Sequence, residues 1–569
     1  MTQTSQPAPP RVHLPLTTAE LDVEAELERF MTEERARLGV DRQPKHWIET
    51  MSGLGFTKAE RPGITLLVGG LTMAHDYLVQ GAFSGVGYRV VALDVPDYEA
   101  LRVGKEYGNR AQCNPTYFTV GNLIKYLLKL RDEEGLSCRQ IIERYVFLTA
   151  GACGPCRFGM YVTEYRKALR DAGFDGFRVM LFQQQGGLDQ ATGGESGLEL
   201  KPRFFVALLK ALLAGDVINA MAYRLRPYEV EPGATDRAVE RAKKHCHEAL
   251  RTRHSVLRAL HKARREFARV KVDRLRCKPR VAIIGEFWAM TTEGDGNYRL
   301  QRFLEQEGAE CDVQLVTAWL LYNLWEVRFD TANREKLRGV DESERGLAGL
   351  GEYDVFRRKA GLWAGERALR AAFQAFALAV GLDRYRLPDM DVISSAARQY
   401  YNNDLRGGEG HMEVGKLILN VVEAKATMTL SVKPFGCMPS SGISDGVQSL
   451  VTELHPGAIY CAVETSGDGA VNFQSRVQMS LFKARQAARE ELDQALQEYN
   501  LDLDGIREIV QRHRHLASSL HHPPHRAAHM AADLVHEAAR LHQRSPVQRI
   551  AQLLGARRLG APRTNPNAP

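Results

Sequence analysis

Thiols are the side chains of this sequence whose number and spacing most suggest chemistry. Four of its nine cysteines lie in three short stretches: Cys113 in GNRAQCNPTYFTVGNL, Cys153 and Cys156 in FLTAGACGPCRFGMY, and Cys437 in SVKPFGCMPSSGISDG. Each stretch sets cysteine beside Gly or Pro in a loop that opens a helix, and the last two follow strand-like runs directly. Thiolates gathered on loops at strand ends suit zinc or an iron–sulfur cluster, because soft sulfur ligands hold both. Pro115 suits a first helical turn, where its missing N–H is not needed. Helix N-termini add free N–H groups and a positive dipole end, which favour thiolates and an anionic cluster.

Other readings stand beside this one. The C-x-x-C of Cys153 and Cys156 also fits half of a zinc knuckle or a thioredoxin-type redox pair, but that pair leaves Cys113 and Cys437 unexplained. All four could instead be small buried apolar residues. Cys138 and Cys246 fall in helical stretches, and Cys277, Cys311 and Cys461 in or beside strands. Packing is the expectation for these five.

Glu286 follows the run VAIIG and Glu464 follows IYCAV, both at predicted carboxyl ends of strands. An acid/base carboxylate belongs there, and so does a helix cap or a partner for a nearby cation. Arg157, next to Cys156, reads as a donor to cluster sulfide or an anionic substrate, or as half of a salt bridge. LRGGEGHMEVGK reads as an anion cradle of backbone N–H groups or as a linker with a cap. Asn297 and Arg299 invite the same two readings. His525 and His529 have a spacing that would share one helix face, yet no accompanying ligand pattern supports a metal, so a solvated tail is expected there.

These residues need a scaffold that brings strand ends together. Strand-like runs alternate with helical ones twice over, which predicts an α/β protein with two doubly wound parallel-sheet, Rossmann-like domains. The predicted order is an N-terminal arm and helix (1–62), a first α/β domain with Cys113, Cys153 and Cys156 (63–227) and a helical linker (228–278). A second α/β domain with a helical insert and Cys437 (279–485) and a helical, His-rich basic tail (486–569) complete it. Open α/β sheets bind ligands at the carboxyl ends of their strands.

The chain has 569 residues, 44% of them hydrophobic and 25% charged, with a formal net charge of +7. That length predicts two or three domains. The charge is too small for its size to argue for nucleic acid. No signal peptide and no apolar run long enough to cross a bilayer is read from the sequence. A cytoplasmic, reducing location is therefore expected, where clustered cysteines serve as ligands or redox groups more often than as disulfides.

At these same residues the chain resembles the 2-hydroxyacyl-CoA dehydratase family. Its members include the cluster-binding subunits of 2-hydroxyglutaryl-CoA dehydratase and benzoyl-CoA reductase. Within that group it is most similar to the dehydratase-like C-terminal portion of large CoA-substrate-specific enzyme activases. The matching pieces are Cys113 with Pro115 and Gly121, GPCRFGMY (154–161), RPYEVEPGATD (226–236), RVAIIGEFW (280–288) with Asn297, GGEGHMEVGK (407–416) and PFGCMPS (434–440). They occur in the family's order over roughly residues 63–485.

The resemblance implies Rossmann-like domains holding a [4Fe–4S] cluster, with Cys113, Cys156 and Cys437 as ligands and Cys153 as the fourth. It also implies a separate ATP-hydrolysing activator protein, a second dehydratase-like subunit and an acyl-CoA substrate; no nucleic acid and no membrane partner is expected from the charge and hydropathy. Two departures matter. Family members typically use three cysteines and leave one iron open, whereas a fourth thiolate would close it. There is also no G-x-x-x-x-G-K-[ST] loop, so ATP hydrolysis is not expected of this chain. The functions in view are a dehydratase or reductase component driven by low-potential electrons, a non-catalytic electron-transfer or accessory protein, and a structural zinc protein with four cysteine ligands.

Overall fold

The predicted strands are short and almost wholly apolar, as strands buried on both faces must be. The computed structural model describes residues 23–37, 56–151, 156–182, 197–335, 352–405, 408 and 410–543. It contains two four-stranded sheets, each entirely parallel. The first holds β1 (Thr65–Val68), β2 (Arg89–Ala92), β3 (Tyr145–Ala150) and β4 (Arg178–Phe182) in the order β2-β1-β3-β4. The second holds β5 (Arg280–Gly285), β6 (Glu310–Val313), β7 (Met428–Pro434) and β8 (Tyr460–Thr465) in the order β6-β5-β7-β8. Counted from its own first strand, each sheet reads 2-1-3-4, so the two α/β halves repeat one topology. The expectation of two doubly wound, Rossmann-like sheets is borne out.

Side chains alternate between two cores along each central strand, as the pleat requires. Val146 and Leu148 of β3 face a core that includes Leu78, Phe83 and Phe204, while Phe147 faces Leu123, Tyr165 and Val179. In β5, Ile283 joins Leu430, Val432 and Phe473, and Ile284 joins Val414 and Leu417. Residues 52–569 form one compact unit. In the other unit, helix Val23–Arg37 carries Leu27, Phe30 and Met31 on exposed positions.

Two helices shape the surroundings of Cys113. Tyr98–Tyr107 and Asn114–Asp132 cross so tightly that a Cβ on Gly121 would sit 1.8 Å from the Ala100 carbonyl oxygen. Only glycine allows that approach. Residues 228–278, read as a linker, carry helices Ala234–Arg251 and Val256–Ala268, whose Cys246, Leu250, Leu260 and Phe267 share the core of Leu78 and Phe83.

Three expectations need correction. First, one segment, Pro202–Tyr228, does have the length and apolar composition to cross a bilayer. It is apolar because it packs centrally: 67% of its most apolar window is buried, and its Asp216 and Asn219 make buried hydrogen bonds. Second, the C-terminal region is not a solvated tail as far as residue 543. Helices Ala470–Tyr499, Leu503–Arg512 and Met530–Gln543 enclose a core of Leu492, Ile506, Ile509, Leu534 and Val535. Third, His525 and His529 precede the helix that begins at Met530, so they share no helix face. His529 is wholly buried, and His525 is exposed with Nε2 3.2 Å from the Glu423 carbonyl oxygen.

Candidate functional site

Cys113 is the N-cap of helix Asn114–Asp132, with Pro115 in its first turn. It is buried, and its Sγ lies 2.9 Å from the Tyr161 hydroxyl and 3.1 Å from Thr116 Oγ1. Tyr161 opens helix Tyr161–Asp171. Burial pushes its phenol well above the ordinary range, and the nearby Cys113 and Glu286 push the same way. The loop before Cys113 is pinned by Glu164, whose Oε2 accepts from Asn109 Nδ2 at 2.9 Å, and by the Tyr117 hydroxyl, which donates to the Asn109 carbonyl at 2.8 Å.

Cys437 caps helix Met438–Gly442 after β7 and is buried. Burial raises its thiol strongly, Glu286 adds to that, and Ser440 opposes it. The Cys437 and Cys113 loops touch through their backbones. Asn114 N–H donates to the Phe435 carbonyl at 3.0 Å. Gly436 has φ +76°, and a Cβ there would lie 3.2 Å from Cys113 Cα. Asn114 Nδ2, one residue from Cys113, is buried with no hydrogen-bond partner.

Cys156 caps the short turn Arg157–Met160 after β3 and is half-buried. It therefore holds in the first sheet the place that Cys437 holds in the second, just past the carboxyl end of the third strand. Arg157 is placed by a backbone contact. Its guanidinium donates to the Ala111 carbonyl and braces the Cys156 turn against the Cys113 loop. Cys153 lies outside the described residues.

Beside these loops is a cavity of about 470 Å³. Its walls include Gly69 and Gly70 after β1, Ala150 at the end of β3 and Cys156 beyond it, Glu286 after β5, and Trp319 of helix Val316–Glu335. The carboxyl ends of β1 and β3 mark the point where the first sheet reverses its winding, the usual ligand crevice of such sheets.

Glu286 does cap the helix after β5: its carboxylate accepts from Trp288 N–H at 3.1 Å and Ala289 N–H at 2.8 Å. It also lines the cavity, and burial raises its pKa. Glu464 is placed differently. It sits near the end of β8, partly exposed, 3.6 Å from Lys433 Nζ, and does not line this cavity. The ion-pair alternative describes it. Asn297 is wholly buried and donates to the Ala289 and Thr292 carbonyls, while Arg299 pairs with Asp295. Both hold structure. Cys246, Cys311 and Cys461 pack in apolar cores.

Two carboxyl groups escaped the sequence reading. Glu413, in helix Gly410–Val422, is buried; its Oε1 accepts from Ser440 Oγ at 2.9 Å and its Oε2 has no partner. Burial raises it to about 7, with Ser440 opposing and Glu286 adding to the rise. Asp76, in helix Met73–Gly85, lines the cavity and is likewise pushed up to about 7 by burial. An acid inside an apolar helical run, as in HMEVGKLIL and MAHDYLVQG, was the available signal.

The donors present suit an anionic thiolate-bound cluster in kind: three cysteines on converging loops, with the orphaned Asn114 amide N–H beside Cys113. Among the described residues, no group of three or more His, Cys, Asp or Glu side chains is arranged to hold a metal ion. No protein-family model matches the sequence, and no curated protein matches it either.

Proposed function

We propose that this chain is an iron–sulfur protein of the 2-hydroxyacyl-CoA dehydratase type, taking part in electron-driven dehydration or reduction of an acyl-CoA-like substrate. One observation carries the reading. The loops of Cys113 and Cys437, from two sheets of identical strand order, are joined backbone to backbone by the Asn114–Phe435 hydrogen bond. Cys113, Cys156 and Cys437 would hold a [4Fe–4S] cluster, with Cys153 as the fourth thiolate. Such a cluster supplies one-electron chemistry at low potential.

The rest is done by side chains. Tyr161 orients the Cys113 sulfur through its 2.9 Å hydroxyl contact. Glu286 adds to the burial that raises Glu413 to about 7, so at neutral pH Glu413 holds a proton part of the time near Cys437. Glu286, which lines the cavity and whose own pKa burial raises, is the carboxyl placed to give a proton to a substrate oxygen that must leave as water. Aromatic walls, including Trp288 and Trp319, make the cavity largely apolar. Electrons would come from a separate ATP-hydrolysing activator, since this chain carries no phosphate-binding loop. A second dehydratase-like subunit is the other partner the resemblance implies.

The test is electron paramagnetic resonance of the reduced protein after oxygen-free isolation, comparing wild type with four single variants. Cys113→Ala, Cys156→Ala and Cys437→Ala are expected to lose the cluster signal. Cys153→Ala is expected to keep an assembled cluster with one labile iron that responds to added acyl-CoA. Full signal in all four variants would remove these cysteines from the site.

A further inference from the structure

A second cavity, of about 240 Å³, opens on the other faces of two helices that wall the first. Helix Pro202–Leu225 gives Phe205, Leu208 and Leu212 to the cavity beside Cys156, and Arg203, Val206 and Lys210 to this one. Helix Met73–Gly85 divides in the same way, with Val79 and Phe83 on one side and Ala82 and Gly85 on the other. Among the described residues, none lines both. The turn between helices Ala234–Arg251 and Val256–Ala268 adds Arg253 and His254, beside buried Leu250 and Val256.

The ionisable lining described is wholly basic: Arg203, Lys210, Arg253 and His254. Among the described residues, neither Lys210 nor Arg253 has an ion-pair partner. Arg253 Nε donates to the Gly85 carbonyl, which ties the guanidinium to the cavity and leaves its Nη groups over. Arg203 meets Glu199 at 3.4 Å, but that carboxylate also serves Lys201 and, at 3.2 Å, Arg61. Glu248, which bears on His254, is engaged by Arg251 at 2.8 Å.

We propose that this cavity binds a phosphate monoester carrying a compact apolar group. The phosphate meets Arg203, Lys210 and Arg253, and the apolar group lies against Leu250 and Val256. A phosphate monoester carries a charge of about −1.5 to −2 at neutral pH and three strong acceptor oxygens. It therefore suits a site with three permanent cations better than a carboxylate, which brings a single charge. Guanidinium groups meet phosphate oxygens in pairs, and an ammonium adds a point charge. Each cation stands at an exposed position, where one ion pair alone contributes little. Their convergence on one cavity with an apolar floor supplies the affinity and the selectivity. The site uses no cysteine and does not rest on the proposed function.

The experiment is isothermal titration calorimetry of the full chain with phenyl phosphate, inorganic phosphate and phenol. A phosphate-free buffer of about 50 mM salt keeps exposed charges weakly screened. One phenyl phosphate per chain is expected to bind, at least about tenfold tighter than inorganic phosphate or phenol. Lys210→Glu is expected to weaken that binding at least about tenfold and to leave urea unfolding unchanged, whereas Lys210→Arg keeps it. No saturable binding of phenyl phosphate, equal binding of phenol or inorganic phosphate, or unchanged affinity in Lys210→Glu would overturn the proposal. Phosphatidic acid in phosphatidylcholine vesicles offers the same headgroup at a lipid surface, and the chain is expected to stay in the supernatant. Cosedimentation that Lys210→Glu abolishes would move the ligand to a membrane and overturn the small-molecule assignment. Iron does not enter any of these readouts, so their failure and that of the proposed function are distinguishable.

Discussion

At Gly436 the chain turns with φ +76°, and a methyl group there would press on the Cys113 backbone at 3.2 Å. A left-handed conformation costs an ordinary residue about 1–2 kcal/mol, before any clash. Gly436→Val is therefore expected to lower stability by about 2–4 kcal/mol in urea unfolding and to part the Cys113 and Cys437 loops. Unchanged stability would show that the two backbones are not held so close. Asp76 allows a sharper test of environment. Its folded pKa of about 7 lies above that of an unfolded aspartate, so its neutral form favours folding. That contribution is full below about pH 4 and is lost as pH rises through about 7. Asp76→Asn cannot ionise and keeps an acceptor for Leu71 N–H. It should match wild type near pH 4 and exceed it at pH 8 by on the order of 1–3 kcal/mol. Parallel stability curves for the two proteins would contradict the burial of this carboxyl.

The strands were legible because the inner ones of the second sheet, β5 and β7, are buried throughout and the others keep a largely apolar run. All eight runs, from ITLLVGG to AIYCAVET, became strands. The loops after β3 and β7 were legible from Cys, Gly and Pro alone, since loop chemistry is local. Glu413 was not, because its meaning comes from Ser440, 27 positions away in the chain. The brace from Arg157 was not legible either, because the Ala111 carbonyl it meets lies 46 positions away. The C-terminal helices were misread for a similar reason. Their apolar residues are scattered among His and Arg, and part of their core, Leu275, comes from far earlier in the chain. Removing residues 501–569 would strip cover from Leu275 and Leu492. It would also take Asp533 from buried Arg280, whose Nη2 lies 4.0 Å from it. That truncation is expected to give aggregated or markedly less heat-stable protein. A truncated chain that melts like the full one would contradict the packing.

Across the whole molecule, the two sheets repeat one strand order and place cysteine at the same point in each, Cys156 after β3 and Cys437 after β7. This pairing makes the thiols a joint feature of the two halves. It also weighs against a compact zinc module, which uses closely spaced ligands from one segment, because Cys437 lies hundreds of residues beyond Cys113 and Cys156. The central claim is that the thiols hold a cubane cluster, and metal analysis addresses it most directly. The full chain should be isolated without oxygen and assayed for iron, acid-labile sulfide and zinc. The account predicts about four iron and four sulfide per chain. Stoichiometric zinc without sulfide, or no metal at all, would contradict it.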